Sequence, residues 1–150
     1  MRTCLGTISE IQDLTALALA SKRHWGYDDY FIELCRAELS VSEEDVDTDS
    51  VFVVEDEIGN VVGFYLLAEA PRPELRMLFV SPDVIGRGIG KVLVQDALSV
   101  AKSRGRRSLV IESDPFAESF YEHLGAELVG ASQSVSTGRT LRLYEMRAEG

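Results

Sequence analysis

The stretch from Leu75 to Ala101 restricts the fold more than any other part of the chain. Leu75 to Val80 becomes apolar on both faces in Met77-Leu78-Phe79-Val80, the pattern of a central strand covered on both sides. Ser81-Pro82-Asp83 follows, then glycines at 86, 88 and 90. Ile89, Val92, Leu93, Ala97, Val100 and Ala101 then recur at helical spacing, and Gly105 is a C-terminal stop. A buried strand, a glycine turn and a long amphipathic helix in direct succession belong to a layered α/β architecture.

The same turn has the make-up of an anion cradle. Glycines let backbone N–H groups approach a ligand closely, and the unsatisfied amides and dipole of a helix N-terminus favour phosphate oxygens. Spacing separates the known cradles. A GxxxxGK[ST] loop fails because Ile85 precedes Gly90 by five and Val92 follows Lys91. The dinucleotide pattern GxGxxG fails because Gly86, Gly88 and Gly90 are spaced GxGxG. The plain alternative is a tight strand-to-helix connection with no ligand. Charge favours the cradle: Arg87 to Arg107 holds six cations and one acid, Asp96, a local +5 in a chain of −10. Lys102 to Arg107 can equally be cations at a helix C-terminus.

The remaining elements alternate in type. Thr3 to Ile8 is expected as a strand. Ser9 and Gln12 have the spacing of a capping box before a helix with Ile11, Leu14, Leu17 and Ala18 on its apolar side. A second helix is expected from about Asp28 to Ala37, and the acidic run Glu43 to Asp49 as a solvated loop. Val51–Glu55 and Val61–Glu69 flank Gly59-Asn60 as an antiparallel hairpin. Ser108–Glu112 reads as a strand, and Asp114-Pro115 as an N-cap with proline at the first helical position. Ala117, Phe120, Tyr121 and Leu124 form one face of that helix, which stops at Gly125. Glu127–Val129 and Leu141–Met146 are two further strands around a polar Ser132–Gly138 loop.

Length and composition fit one domain over residues 1–150, with 45% apolar and 27% charged residues. The net charge of −10 argues against nucleic-acid and anionic-membrane partners, which need a basic face. Leu14–Ala20 is too short to span a membrane, and Met1–Glu10 lacks the charged start and apolar core of a signal peptide, so a cytoplasmic protein is expected. Cys4 and Cys35, with only two histidines in the chain, support neither a metal site nor a disulfide framework, and both are expected buried and reduced.

Phe79-Val80, Pro82 and Gly86-Arg-Gly-Ile-Gly-Lys91 before an apolar helix resemble the acetyl-CoA-binding motif of the GCN5-related N-acetyltransferase (GNAT) superfamily. Asp114-Pro-Phe-Ala117-Glu-Ser-Phe120-Tyr121-Glu-His-Leu124-Gly125 resembles its second motif. The resemblance implies a GNAT-like α/β fold, a mixed and mostly antiparallel central sheet with helices on both faces. It implies a cofactor site at Leu78, Phe79, Val80, Ile85, Gly86, Arg87, Gly88, Ile89, Gly90, Lys91, Asp114 and Phe116. There the turn amides take the CoA pyrophosphate and the end of the Leu75–Val80 strand pairs with the pantetheine arm. Ile85 stands where the family usually has Arg or Gln, Asp114 where Asn is usual, and Ala126 where an aromatic is common.

Acetyl transfer from a thioester to an amine needs a neutral amine, a stabilised oxyanion and a proton for the departing thiolate. Tyr121 is the candidate acid, with a place in the core stripe as its alternative role. Glu74, or water, is the candidate base, and a backbone N–H near Leu78 or Phe79 the oxyanion donor. His24, Trp25 and Tyr27, in the loop joining the first two helices, are candidate substrate-binding residues. The resulting expectation is a metal-free, acetyl-CoA-dependent N-acetyltransferase acting by direct transfer on a small-molecule or peptide amine, with a homodimer left open. The rival is a non-catalytic acyl-CoA-binding regulatory domain.

Overall fold

The computed structural model describes residues 1–148. Seven strands form one sheet in the order β1-β2-β3-β4-β5-β7-β6: β1 Arg2–Leu5, β2 Val51–Glu55, β3 Val61–Ala68, β4 Glu74–Val80, β5 Ser108–Ser113, β6 Glu127–Gln133 and β7 Thr140–Arg147. Every neighbouring pair is antiparallel except β4 and β5. The helices are α1 Ile11–His24, α2 Asp29–Cys35, α3 Glu43–Asp47, α4 Ile89–Ser103 and α5 Glu118–His123.

Alternation along the strands builds two cores. Val51, Val53, Phe64 and Leu66 pack with Leu14 and Ala18 of α1 and Ile32 of α2. Phe52, Val54, Tyr65 and Leu67 point the other way, onto Leu93, Ala97 and Ala101 of α4. The sheet is therefore covered on both faces, which is why β2 and β3 are almost continuously apolar.

An irregularity in β4 changes its phase. Leu66 opposes Met77 and Leu67 opposes Leu75, so Arg76 is the extra residue of a bulge. Leu75 and Met77 would share a face in a regular strand, yet Leu75 packs with the α4 core and Met77 with the α1 core. Past the bulge, Leu78 opposes Tyr65 and Phe79 opposes Phe64, so the following residues stay in phase with β3.

Several boundaries differ from the sequence expectation. The first strand ends at Leu5, and the cap before α1 is made by Thr7 and Glu10, whose carboxylate accepts the Thr7 N–H at 2.9 Å, rather than by Ser9 and Gln12. The acidic run is a helix and not a loop. The Ser42 N–H donates to Asp45 at 2.9 Å and the Asp45 N–H to the Ser42 hydroxyl at 3.1 Å, and carboxylates suit a helix N-terminus. A 3-10 turn, Pro115–Ala117, precedes α5, and β6 runs four residues beyond Val129. Cys35 is buried as expected, but Cys4 is only half-buried; both are free thiols. No helix among the described residues is long and apolar enough to cross a membrane.

Candidate active site

The parallel pair in the middle of the sheet is what opens a site. β4 and β5 are in register only at Glu74 and Val110, tied by the Val110 N–H to the Pro73 carbonyl at 3.1 Å. Beyond that point β4 has β3 on one side and no strand on the other. A cavity of about 890 Å³ fills the gap, within the size range of small-molecule sites. Its walls include the whole of β4, Ile111 and Glu112 of β5, and Phe120 and Tyr121 of α5. Leu78, Phe79 and Val80 are half-buried rather than buried because they face this cavity. The open edge offers backbone N–H and C=O groups to an extended, amide-bearing ligand.

The glycine turn closes one end. Gly86 and Gly88 have φ of +87° and +82°, a conformation that side chains rarely adopt. Gly90 serves a different purpose, since a Cβ there would lie 3.1 Å from the Phe120 ring. The first helical bond of α4 joins the Val92 N–H to the Gly88 carbonyl, which leaves the amides of Ile89, Gly90 and Lys91 without intrahelical partners. Ile85, Gly86, Gly88, Ile89, Gly90 and Lys91 line the cavity, whereas Arg87 is exposed and outside the wall. The basic island also divides. α4 is 15 residues long, so its ends lie roughly 22 Å apart. At the far end Arg104 and Arg106 pair with Glu69 at 3.6 and 2.9 Å. Only Arg87 and Lys91 stand at the turn.

Tyr121 lines the cavity and is 6% exposed. Burial alone drives its hydroxyl well above the usual phenol range, with no hydrogen bond or charge contributing, so the phenol keeps its proton. Glu74 also lines the cavity. Burial raises its carboxyl, Arg72 at 3.6 Å opposes the shift and Glu112 adds to it. Glu74 is thus half-buried at the start of β4.

Asp114 and the aromatic loop meet beside the cavity. The Asp114 carboxylate accepts from Lys22 at 2.5 Å, from Tyr27 at 3.1 Å and from the Phe116 N–H at 2.9 Å. Burial opposes its ionisation, but Lys22 and these hydrogen bonds outweigh that and hold its carboxyl below the usual range. It lines the cavity with its carboxylate already engaged by these partners. Trp25 lies on the cavity wall, stacked on Phe116 at 5.5 Å and 12°. His24 is not in the wall and packs edge-on against Trp25, and Tyr27 stacks on Phe31. The sequence reading missed Lys22, Glu38, Ser134, Thr137 and Arg139, all of which line the same cavity. Their only sequence signal is polarity in a helix end and two loops.

A family model described as an acetyltransferase (GNAT) domain matches residues 27–148. The chain belongs to the GNAT superfamily. Among curated relatives it is 36% identical over 85 residues to the peptidyl-lysine N-acetyltransferase YjaB of Salmonella typhimurium, covering 57% of this chain and 55% of that protein. For YjaB of Escherichia coli the figures are 33% over 100 residues, 67% and 65%. The matched stretch thus spans less than two thirds of either relative. The fold matches PaiA N-acetyltransferase of Thermoplasma acidophilum, solved with coenzyme A, at a TM-score of 0.78 and 18% identity over 97% of this chain and 98% of that one. It matches the solution structure of apo YjaB from E. coli at 0.68 and 25% identity, over 99% and 97%. GNAT structures therefore share the mixed sheet and the flanking helices, as the motif resemblance implied.

Proposed function

We propose that this GNAT chain is an acetyl-CoA-dependent N-acetyltransferase, working as one domain over residues 1–150, that transfers acetyl directly to a primary amine of a small molecule or peptide. The observation that carries this reading is the continuity of one cavity from the unpaired α4 amides, along the open edge of β4, to Tyr121 and Glu74. An extended polyphosphate ligand with an amide-bearing arm fits that path. The amides of Ile89 to Lys91 and the Lys91 ammonium hold the pyrophosphate, and the β4 edge near Leu78 to Val80 receives the arm. Glycine at 86 and 88 allows the turn its conformation there. Acetyl-CoA supplies an activated acyl carbonyl and a thiolate leaving group.

The chain's own groups then manage two protons and one negative charge. Tyr121, held neutral by burial, donates its proton to the departing sulfur. Glu74, its carboxyl raised by burial, accepts the proton of the attacking amine when in its carboxylate form. A backbone N–H on the free side of β4 near Leu78 or Phe79 faces the developing oxyanion. Cys35 is the one cysteine on the wall, and burial holds its thiol above the ordinary range, which suits direct transfer better than a cysteinyl acyl-enzyme.

The test is thiol release from acetyl-CoA against a panel of amines, with thermal shifts in parallel. CoA at one hundred times its Kd should stabilise the fold by about 2.7 kcal/mol, and NADH by much less. Equal stabilisation by NADH refutes the cofactor reading. Binding of CoA with no turnover on any amine supports a regulatory acyl-CoA domain instead.

A further inference from the structure

One charged cluster on the cavity wall has no part in the chemistry above. Lys22 at the end of α1, Asp114 at the end of β5 and Arg139 just before β7 meet there. The Lys22 ammonium lies 2.5 Å from one Asp114 oxygen, and Arg139 Nη2 lies 3.6 Å from the same oxygen. Arg139 Nη1 donates to the Tyr27 hydroxyl at 2.9 Å, and Tyr27 donates to the Asp114 carboxylate at 3.1 Å.

Donors and acceptors in this cluster do not balance. Asp114 accepts from Lys22, Tyr27 and the Phe116 N–H, so its oxygens are occupied. Lys22 uses one of its three N–H groups on a side chain, and Arg139 Nε is buried without a partner among the described residues. Two cations face one carboxylate, a formal excess of +1, on side chains only 13%, 28% and 20% exposed for Lys22, Arg139 and Asp114. Tyr27 adds no negative charge, because burial pushes its phenol up. Glu38 and Glu112 are both exposed, where water and salt screen them. Aromatic faces hold both cations in place: Lys22 lies 5.2 Å from the Tyr27 ring centroid and Arg139 4.6 Å from that of Phe31.

A partly desolvated excess cation with unused donors is complementary to an anion, and a guanidinium beside an ammonium suits a carboxylate. We propose that Lys22 and Arg139, positioned by Asp114 and Tyr27, form a carboxylate subsite for the acceptor, so that the preferred substrate is a free amino acid. Its carboxylate rests on the cationic pair while its amine is directed to Glu74. The inference rests on the acyl-transfer reading and names the substrate class of the same cavity. It predicts that a polyamine, or a lysine within a blocked peptide, is a poorer acceptor.

The experiment compares thiol release from acetyl-CoA with amino acids, their C-amides, polyamines and a blocked lysine peptide. The acid should exceed its own amide by roughly ten- to a hundredfold in kcat/KM, chiefly through KM. Arg139→Met, and separately Lys22→Met, should bring the acid-to-amide ratio close to one, and Arg139→Lys should restore part of it. A cluster that only braces the fold would slow acid and amide equally, so the ratio, unlike the melting temperature, isolates the subsite. Equal turnover of acid and amide by the wild type, or preference for the polyamine or peptide, overturns the subsite and leaves the acyl-transfer reading standing. No turnover on any amine overturns both.

Discussion

Tyr121→Phe is the sharpest single test of the chemistry, because the structure separates its packing role from its acid role. The ring is 6% exposed and packs edge-on against Phe120, with centroids 5.1 Å apart. The substitution keeps that ring and removes only a hydroxyl whose ionisation is governed by burial alone, with no hydrogen-bonded partner among the described residues. Deleting an unpaired hydroxyl should change stability by no more than about 1 kcal/mol, or about 2–4 °C in Tm for a chain of this size. If the hydroxyl protonates the leaving thiolate, kcat should fall by roughly 10² to 10⁴-fold while CoA binding persists. The pH dependence sharpens the test. A phenol pushed well above its ordinary value of about 10 stays protonated through any practical assay range, so the ratio of wild-type to variant kcat should be flat from about pH 6 to pH 10. Thiol release with saturating acetyl-CoA across that range, beside calorimetry of CoA binding, gives both numbers. A kcat within about threefold of wild type at neutral pH refutes the acid role. A ratio that collapses as pH approaches 10 refutes the burial argument, because it requires a phenol with an ordinary pKa.

Gly88→Val forces a β-branched residue into φ +82°, so CoA affinity should collapse while the melting temperature falls only by the equivalent of about 1–2 kcal/mol; CoA titration and thermal melts check this, and normal CoA binding would contradict the cradle. Gly90→Ala should instead act through packing, because its Cβ meets Phe120 at 3.1 Å, and its effect should appear in thermal melts as well as in CoA binding. Glu74→Gln should lower kcat/KM and abolish an acid limb that in the wild type lies above the usual carboxylate range, since burial raises this group and activity needs its ionised form; an unchanged limb assigns the base elsewhere. Asp114→Asn leaves Lys22 and Arg139 without their carboxylate and should cost about 1–3 kcal/mol at neutral pH. Asp114 is depressed in the folded state, so its stabilisation is present above the unfolded value of about 4 and lost as pH falls through the folded value; urea melts at descending pH should therefore converge for wild type and variant.

The elements that depend on short-range pattern were legible in the sequence. β2, β3 and α4 follow from runs and periods that any α/β core imposes, and the glycine turn from residues needed at positive φ. Elements set by long-range pairing were not. The bulge at Arg76 leaves no local mark, because Arg76 is neither glycine nor proline and the apolar residues on either side still read as a strand. The acidic run reads as solvated loop on charge alone, yet Ser42 and Asp45 cap each other as soon as the helix starts, and Asp45 then takes Arg76 at 3.2 Å.

The same distinction explains the site. Glu74 and Tyr121 could be placed on β4 and α5 because each sits in a segment whose local pattern fixes its element, and both line the cavity. The partners of Asp114 could not be read from the sequence because they lie far away: Lys22 is 92 residues distant in the chain and Tyr27 is 87. Where the family usually has a neutral Asn, a carboxylate on this wall would be desolvated and alone unless a cation met it. Lys22 and Arg139 are that compensation, and two cations exceed what one carboxylate requires. A substitution that looks like a local departure from the family motif therefore carries its own long-range consequence. The surplus charge it draws to the wall makes the acceptor's carboxylate, more than its amine, the group on which selectivity should turn.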